Sequence, residues 1–256
     1  MAQLAICRSL TMLKMRLDVY LCESGYASSR TDAKRFIENG AVKVNGKVVT
    51  KPSFSIEGEE SSVFVDKSSK KYVSRGGLKL EAALDEFGVS PKGAHAIDIG
   101  ASSGGFTDCL LQRGAEHVIA VDSGTLQLSQ SLREDCRVTS IENYNARYLS
   151  IDDLEYAPDF AVMDVSFISA TYVMLPLYNC LRDNSDFICL VKPQFEVGKA
   201  NVGKGGIVKD EKARRNALKS VTEYAESIGF KLVSSMVSPI VGGDGNIEYL
   251  AHFKKI

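Results

Sequence analysis

Apolar residues recur at helical spacing in the first part of the chain, and short β patterns follow them. Residues 17–21 predict a short helix that stops at Gly25, and residues 30–39 predict a second helix with a serine pair in front of it. An Asn-Gly pair at 45–46 between two short β runs predicts a hairpin, and residues 63–65 can supply a further strand. We therefore expect this part of the chain to form a small α+β module.

Helical and β patterns then alternate along the rest of the chain. Strands are predicted over 94–99, 117–121, 160–163 and 187–191, helices over 78–87, 105–112, 172–181 and 211–228, and two final β runs over 231–238 and 247–253. Strand alternating with helix indicates parallel βαβ units that are covered on both faces. We therefore expect an α/β domain with a mainly parallel sheet and an antiparallel hairpin at its end.

A polar stretch without periodicity separates the two parts, as is typical of a linker. We predict the small module over residues 15–66, the linker over 67–75 and the α/β domain over 76–256. Residues 1–14 receive no function.

The composition is that of a soluble globular protein, with 45% apolar and 25% charged residues. No run approaches the roughly 18 consecutive apolar residues that a spanning helix needs, and the first residues make a poor secretion signal. The six cysteines are scattered without a Cys-x-x-Cys pair or a histidine at ligand spacing. We expect a cytoplasmic protein with free thiols, no metal, no membrane partner, and a monomeric or weakly dimeric state.

Charge is distributed unevenly along the chain. Residues 1–75 carry 13 Lys and Arg against 8 Asp and Glu, a balance of +5, and the remainder carries 18 against 24, a balance of −6. Such an asymmetry suggests that the first part faces a polyanion, although a charged helix face is also common as plain solvated surface. On the second predicted helix, Ala33, Phe36 and Ile37 share the inward face.

Three stretches of the first part form a known pattern: Arg16-Leu17-Asp18, then Ser28-Ser29-Arg30-Thr31-Asp32-Ala33, then Asn39-Gly40-Ala41-Val42-Lys43-Val44-Asn45-Gly46. Their order resembles the alpha-L RNA-binding motif of a small-subunit ribosomal protein, pseudouridine synthases and tyrosyl-tRNA synthetases. The resemblance implies RNA binding through basic side chains. The candidate RNA contacts are Arg16, Arg30, Lys34, Arg35, Lys43 and Lys47.

A glycine turn joins the first strand of the α/β domain to a helix, in Asp98-Ile99-Gly100-Ala101-Ser102-Ser103-Gly104-Gly105-Phe106. Small residues there let a ligand approach the backbone, and the helix N-terminus offers free N–H groups. Asp122, at the end of the next strand, can accept hydrogen bonds from both ribose hydroxyls of a nucleoside. Asn145 is a candidate adenine contact, with a turn-forming role as the alternative.

The spacing of this loop helps to identify the nucleoside. Ser102 stands where the dinucleotide-binding fingerprint has its second glycine, which weakens a reading as an NAD site without excluding it. The string resembles the first motif of FtsJ-like ribose methyltransferases, which implies S-adenosylmethionine as cofactor. The candidate cofactor-binding residues are Asp98, Gly100, Ser102, Gly104, Gly105, Phe106, Asp122 and Asn145.

Charged residues also stand next to the ends of later strands. Asp164 and Lys192 directly follow apolar runs, Glu248 lies in the last β run, and Lys79 lies on the first helix of the α/β domain. Charges at such places are costly to bury singly, which makes mutual pairing plausible. Taken one at a time, each could also be a strand-end ion pair or a solvated residue.

Residues 15–256 together resemble the TlyA family, whose members join the alpha-L motif to an FtsJ-like domain and are typically ribosomal RNA ribose 2′-O-methyltransferases, also described as hemolysins. The resemblance implies a Rossmann-like domain that uses S-adenosylmethionine, a cytidine ribose as target, and ribosomal RNA or ribosomal subunits as partners. The family's catalytic set maps onto Lys79, Asp164, Lys192 and Glu248. Lys192 is then the base or hydroxyl-orienting group, or a cation that stabilises the developing oxyanion.

Residues 198–209 are glycine-rich and basic, which is typical of a mobile loop that closes on RNA and also of an ordinary surface loop. Three other functions stay open at this point. They are a non-catalytic RNA-binding or ribosome-assembly protein, a membrane-lysing hemolysin, and an NAD-linked oxidoreductase.

Overall fold

The computed structural model describes residues 14–27, 29–38, 40–57, 62–66, 71–242 and 245–256, without the side chains of Thr31, Arg35 and Glu57. The chain divides into two compact units, Met1–Ser69 and Lys70–Ile256. Each unit has a hydrophobic core of its own.

The described residues of the first unit form two helices and five short strands. They are β1 (Lys14–Arg16), α1 (Leu17–Glu23), α2 (Arg30–Glu38), β2 (Val42–Val44), β3 (Lys47–Val48), β4 (Ser55–Glu57) and β5 (Val63–Val65). β1 pairs with β4, and β2 lies between β3 and β5 in a three-stranded antiparallel sheet. The predicted helices, hairpin and strand are confirmed. The β1–β4 pair was not predicted, because three-residue strands are too short to show a period.

Local chemistry explains the turns of this unit. Asn45 and Gly46 both have positive φ, 51° and 77°, which a two-residue hairpin turn of the Asn-Gly type requires. Ser29 Oγ accepts a hydrogen bond from the Asp32 N–H at 3.1 Å and so caps α2. The other predicted cap, Ser28, lies outside the described residues. Buried residues of both helices, Leu17 and Ile37 among them, form the core.

The second unit is built on a seven-stranded sheet. Its elements are α3 (Gly76–Phe87), β6 (His95–Ile99), α4 (Gly105–Gln112), β7 (His117–Val121), α5 (Gln130–Arg133), β8 (Val138–Ile141), β9 (Phe160–Met163), α6 (Thr171–Cys180), β10 (Asp186–Val191), α7 (Pro193–Glu196), α8 (Glu211–Ser227), β11 (Phe230–Val237) and β12 (Tyr249–Lys255). The strand order is β11-β12-β10-β9-β6-β7-β8. Strands β6 to β10 run parallel, and β12 runs antiparallel to both β10 and β11.

The α/β prediction with its antiparallel terminal hairpin is confirmed. Of the two strands of this hairpin, β12 lies beside β10 inside the sheet and β11 forms one edge, while β8 forms the other. Each central strand is buried on both faces, as parallel sheets require. In β6, Ile97 and Ile99 pack on the side of α6, while Ala96 packs on the side of α3 and α4. Among the described residues, none of the helices combines the length and apolar character needed to cross a membrane.

The predicted linker differs from the structure at its end. Residues 67–70 lie outside the described part of the chain. Tyr72 is 4% exposed and belongs to the core of the second unit, with Gly77 packed directly against its ring. The Val73 N–H donates to Asp108 Oδ2 at 2.7 Å. Polar neighbours conceal these contacts in the sequence, where Tyr72 is a lone aromatic among lysines and serines.

Candidate active site

Three of the four predicted catalytic residues lie at the end of the sheet where the parallel strands stop, which we call the catalytic edge. Asp164 directly follows β9, Lys192 directly follows β10, and Glu248 directly precedes β12. Because β12 runs antiparallel to β10, with Val191 paired to Tyr249, its first residue meets the carboxyl end of β10. The strands β12, β10 and β9 are neighbours, spaced by roughly 4.8 Å as in any sheet. The fold therefore gathers these side chains in one place.

Lys192 and Asp164 form the first of two ion pairs. Lys192 Nζ lies 2.5 Å from Asp164 Oδ1, and the side chains are 11% and 24% exposed. The contact is ionic and lacks hydrogen-bond geometry at Oδ1. The directed hydrogen bond of Lys192 goes instead to Ser166 Oγ, at 2.7 Å. Ser166 was not predicted as a site residue, because nothing in a strand-end Val-Ser-Phe distinguishes its serine.

Lys79 and Glu248 form the second ion pair. Lys79 Nζ donates to Glu248 Oε2 at 2.5 Å, and the side chains are 10% and 3% exposed. Lys79 comes from α3, so the helix supplies the charge that makes burial of Glu248 tolerable. Removing one partner of such a buried pair leaves an uncompensated charge and typically costs about 3–5 kcal/mol. The predicted tetrad is thus present as two lysine–carboxylate pairs.

A cavity of about 530 Å³ opens beside the first pair, within the usual size range of small-molecule sites. It lies at the ends of β6, β7 and β9 and is lined by Gly100, Ser102, Asp122, Asn145 and Asp164, with Ser123, Tyr144, Arg147, Ser166 and Phe167 among the further lining residues. Four of the predicted cofactor-binding residues, together with catalytic candidate Asp164, therefore face one cavity.

Asp122 is held in place by the backbone around it. Its Oδ2 accepts the Ser102 N–H at 2.7 Å, and its Oδ1 accepts the Gly124 N–H at 2.7 Å. Each carboxylate oxygen can accept more than one hydrogen bond, so lone pairs remain for a ligand's hydroxyls. This arrangement supports the predicted ribose-binding role of Asp122.

Glycine is needed at two positions of the loop for different reasons. Gly100 has φ +82°, and a Cβ there would collide with the backbone carbonyl of Asp164. Gly104 has φ +93°, and a Cβ there would collide with the side chains of Leu132 and Leu128. The small size of Gly104 is therefore needed for packing against the core, and its role at the cofactor stays a prediction.

Three further predicted cofactor residues do not line the cavity. Asp98 is fully buried, with Oδ2 accepting the Thr107 hydroxyl at 2.6 Å. Burial, with the charges of Asp164 and Asp122 nearby, raises the pKa of Asp98 to about 7. Phe106 is 3% exposed in the core, and Gly105 packs against the side chain of Ser74. The loop motif thus mixes ligand-facing positions with positions that fasten the loop to the domain.

Asn145 lines the cavity and also forms a turn. Its Oδ1 accepts the Arg147 N–H at 3.2 Å and the Arg147 Nε–H at 3.1 Å, which caps a short 3-10 turn. The carbonyl oxygen is therefore used within the protein, as the turn-forming alternative expects. Tyr144 and Arg147 line the same cavity and were not predicted, since both lie in a stretch without period.

Phe167 stands out at the mouth of the cavity. It is 88% exposed and has φ +67°, an unusual backbone conformation for a bulky side chain. Its ring lies 5.4 Å from that of Phe195. Phe167 therefore contributes its ring to the surface beside Ser166, the hydrogen-bond partner of Lys192, and not to a core.

In the first unit, two predicted RNA contacts share one carboxylate. Arg16 donates to both oxygens of Asp18, at 2.9 and 3.0 Å, and Arg30 donates to Oδ2 at 3.2 Å. Hydrogen bonding by Arg16 is the main reason why the pKa of buried Asp18 falls to about 2. The side chains of Arg16 and Arg30 are 50% and 61% exposed. Lys34, Lys43 and Lys47 are exposed, and the side chain of Arg35 lies outside the described residues.

The basic loop of residues 198–209 joins α7 to α8. It contains two short 3-10 turns, Lys199–Asn201 and Lys204–Gly206, and both lysines are exposed. The loop begins close to the catalytic edge, since α7 follows Lys192 directly. Its cations therefore extend the surface around the Lys192 pair.

Comparison with known proteins gives two family matches. The FtsJ-like methyltransferase family matches residues 72–255, and the S4 domain family matches residues 15–61. The chain is 47% identical over 244 residues to YqxC of Bacillus subtilis (strain 168), a candidate rRNA methyltransferase, covering 95% of this chain and 86% of the relative. It is 41% identical over 236 residues to the 16S/23S rRNA (cytidine-2'-O)-methyltransferase TlyA of Mycobacterium tuberculosis (strain ATCC 25618 / H37Rv), covering 92% and 88%.

The structure is also similar to solved structures. A candidate hemolysin from Streptococcus thermophilus is 44% identical and superposes with a TM-score of 0.75, over 96% of this chain and 90% of that one.

Proposed function

The chain belongs to the FtsJ-like methyltransferase family, in the branch whose members carry an S4 domain and include TlyA. From this premise we propose that it transfers a methyl group from S-adenosylmethionine to the ribose 2′-oxygen of a cytidine in ribosomal RNA. Two relatives are named for rRNA methylation, one of them for the 2′-oxygen of cytidine. The observation that carries the proposal is the presence of two lysine–carboxylate ion pairs at the catalytic edge, beside the cavity that Asp122 lines.

The residues of the cavity fit the cofactor. Asp122, fixed by the amides of Ser102 and Gly124, can accept hydrogen bonds from the two ribose hydroxyls of the adenosyl group. Gly100 allows the loop to lie against Asp164, so that a ligand in the cavity ends close to the Lys192 pair. When bound, S-adenosylmethionine supplies the methyl sulfonium that the reaction consumes.

Lys192 acts on the ribose hydroxyl. Asp164 and Ser166 hold its Nζ between them at the cavity wall, which fixes where the amine can meet the 2′-oxygen. That oxygen loses its proton as its bond to the methyl carbon forms. A neutral amine accepts this proton. An ammonium instead stabilises the negative charge that develops on oxygen, and the proton then passes to the carboxylate of Asp164, which lines the cavity. Either role requires Lys192 to be in place.

The substrate side of the proposal rests on surface features. Phe167 offers an exposed ring next to the site, and base–aromatic stacking contributes about 1–3 kcal/mol per base in RNA-binding proteins. Exposed lysines at 199 and 204 and the basic side chains of the first unit can contact phosphates. The first unit thus contributes affinity for RNA, and the second unit the chemistry.

The proposal is tested by methyl transfer to ribosomal RNA or intact subunits with labelled cofactor. We expect transfer by the wild type and none by Lys192→Ala, while the Kd for S-adenosylmethionine stays within about twofold because Lys192 lies outside the ribose end of the cavity. Lys254→Ala is the matched control, since Lys254 pairs with Asp186 at the opposite end of β10 and β12. Undiminished transfer by Lys192→Ala would remove this residue from the reaction.

A further inference from the structure

Asn246 bridges two segments that are far apart in sequence. It is 1% exposed, its Oδ1 accepts the Val208 N–H at 3.0 Å, and its Nδ2 donates to the Gly206 carbonyl at 2.9 Å. Gly206 and Val208 belong to the end of the basic loop, residues 198–209. The side chain of Asn246 therefore fastens the basic loop to the segment that leads into β12.

The backbone carbonyl of Asn246 links the residue to the surroundings of Glu248. Its carbonyl accepts the Gly242 N–H at 2.8 Å, and the Gly242 carbonyl accepts the Gly245 N–H at 2.9 Å. Gly242 is packed against the carboxylate, because a Cβ there would lie 2.6 Å from Glu248 Oε1. Glu248 therefore lies between Lys79 and Gly242, and the Asn246 carbonyl holds Gly242 in place.

An amide is well suited to this junction. It presents an acceptor and a donor at once, matching the N–H of Val208 and the carbonyl of Gly206. A carboxylate could accept only, and an apolar side chain could do neither. Since the groups are buried, each lost partner leaves an unsatisfied donor or acceptor.

Arg214 also holds the basic loop, and among the described residues its hydrogen bonds do not involve Glu248 or Asn246. Arg214 Nη1 donates to the carbonyls of Val208 and Lys209, at 3.0 and 2.7 Å. It comes from α8, and no hydrogen bond joins it to residues 245–248 within the described part of the chain. Arg214 therefore provides a comparison in which the loop is loosened and Glu248 is left alone.

We propose that Asn246 is a positioning residue that holds the basic loop in a fixed position relative to Glu248. RNA phosphates bound to the loop then lie at a fixed distance from the ribose at the catalytic edge. The inference rests on the proposed function. Asn246 acts through Glu248 and through the loop, and touches neither RNA nor cofactor itself.

The kinetic test compares variants of Asn246 and Arg214. Asn246→Ala is expected to lower kcat by up to about a hundredfold, the effect of a misplacement of about 1 Å, with the Kd for S-adenosylmethionine unchanged. Arg214→Ala is expected to raise the KM for RNA with a smaller effect on kcat.

The decisive comparison is made with Glu248→Gln. Residues that act through one another give non-additive losses. Asn246→Ala should therefore lower kcat little further in the Glu248→Gln background, whereas Arg214→Ala should have the same effect in both backgrounds. Losses from Asn246→Ala that multiply with those from Glu248→Gln, or a loss confined to the KM for RNA, would overturn the proposal.

Hydrogen exchange separates this inference from the proposed function, because it requires no substrate. Asn246→Ala should speed exchange in residues 203–209 and in residues 245–250, while Arg214→Ala should speed it in 203–209 alone. Faster exchange of 203–209 alone in Asn246→Ala would show that no link to Glu248 exists. A wild-type protein that methylates no ribosomal RNA would contradict the proposed function, and the exchange result would still decide the link.

Discussion

Asp122 is the residue on which the proposed cofactor site depends most directly. Two backbone amides fix its carboxylate, so its lone pairs are already oriented before a ligand arrives. We predict that Asp122→Ala weakens S-adenosylmethionine binding about ten- to a hundredfold, the range for hydrogen bonds to a charged group. Calorimetric titration measures this, with Asp135→Ala, a surface carboxylate paired to Arg137, as the control. Equal affinity in both variants would remove Asp122 from the site.

Asp98 makes the stability of the second unit depend on pH. Burial raises its pKa to about 7 from the ordinary 3.8, so between these values the folded protein binds more protons than the unfolded chain. Stability should then fall as pH rises from about 4 to about 7, by up to about 1.4 kcal/mol per pH unit from this group.

Asp98→Asn is the test of that dependence, because asparagine can still accept from the Thr107 hydroxyl and does not ionise. The unfolding midpoint of the variant should be flatter with pH over this window than that of wild type. Midpoints that run parallel across the window would show that Asp98 does not titrate there.

At the residue scale, the site residues that could be predicted from the sequence are those that directly follow strands. Asp164, Lys192 and Asp122 directly follow buried strands, and the topology of a parallel sheet brings such positions together. The resemblance to a family, not the pattern, identified Lys79. Ser166 and Phe167 could not be found in advance, because their roles come from one contact and one backbone angle. Gly104 shows the converse, a motif glycine whose reason is packing against Leu132.

Among the elements, β1, α1 and α2 are joined by a single buried carboxylate. Asp18 binds Arg16 before α1 and Arg30 at the start of α2, and its pKa falls to about 2 mainly through the Arg16 hydrogen bonds. A lowered pKa stabilises the folded form above the ordinary 3.8, by on the order of 2 kcal/mol, and this contribution disappears as pH falls from about 4 through 2.

Asp18→Asn should therefore speed hydrogen exchange in α1 and α2 at pH 5 and above, and the gap to wild type should close as the solution is acidified. It should also lower RNA affinity, since Arg16 and Arg30 lose the group that orients them. Glu38→Gln, an exposed carboxylate at the end of α2, is the control. Equal exchange of wild type and Asp18→Asn at pH 5 would contradict this prediction.

Elements with a clear period were predictable and those without one were not. The strands β6, β7, β9 and β10 and the helices α4, α6 and α8 follow from the sequence pattern alone. The four-residue β8 and α5 and the three-residue β1 and β4 carry too few positions to show a period, and tertiary pairing decides them. The position of β12 between β10 and β11 could not be read from order along the chain, although it places Glu248 beside Lys192.

At the scale of the whole molecule, the two compact units suggest that RNA binding and cofactor binding belong to different units. Residues 70–256 contain both core clusters of the sheet, including Tyr72. We predict that a fragment of these residues binds S-adenosylmethionine like the full chain and binds ribosomal RNA at least tenfold more weakly. The slope of RNA affinity against salt should also be shallower in the fragment, because phosphate contacts have been removed. Full RNA affinity in the fragment would contradict an RNA-binding role for the first unit.

The central claim, transfer to a ribose 2′-oxygen, is tested most directly by locating the methyl group. Ribosomal RNA labelled by the wild-type protein is hydrolysed in alkali, a cleavage that needs a free 2′-hydroxyl at each linkage. A 2′-O-methyl group blocks its own linkage, so we predict that the label is recovered in alkali-resistant dinucleotides with cytidine at the blocked position. Label recovered only in mononucleotides would place the methyl group on a base and contradict ribose methylation.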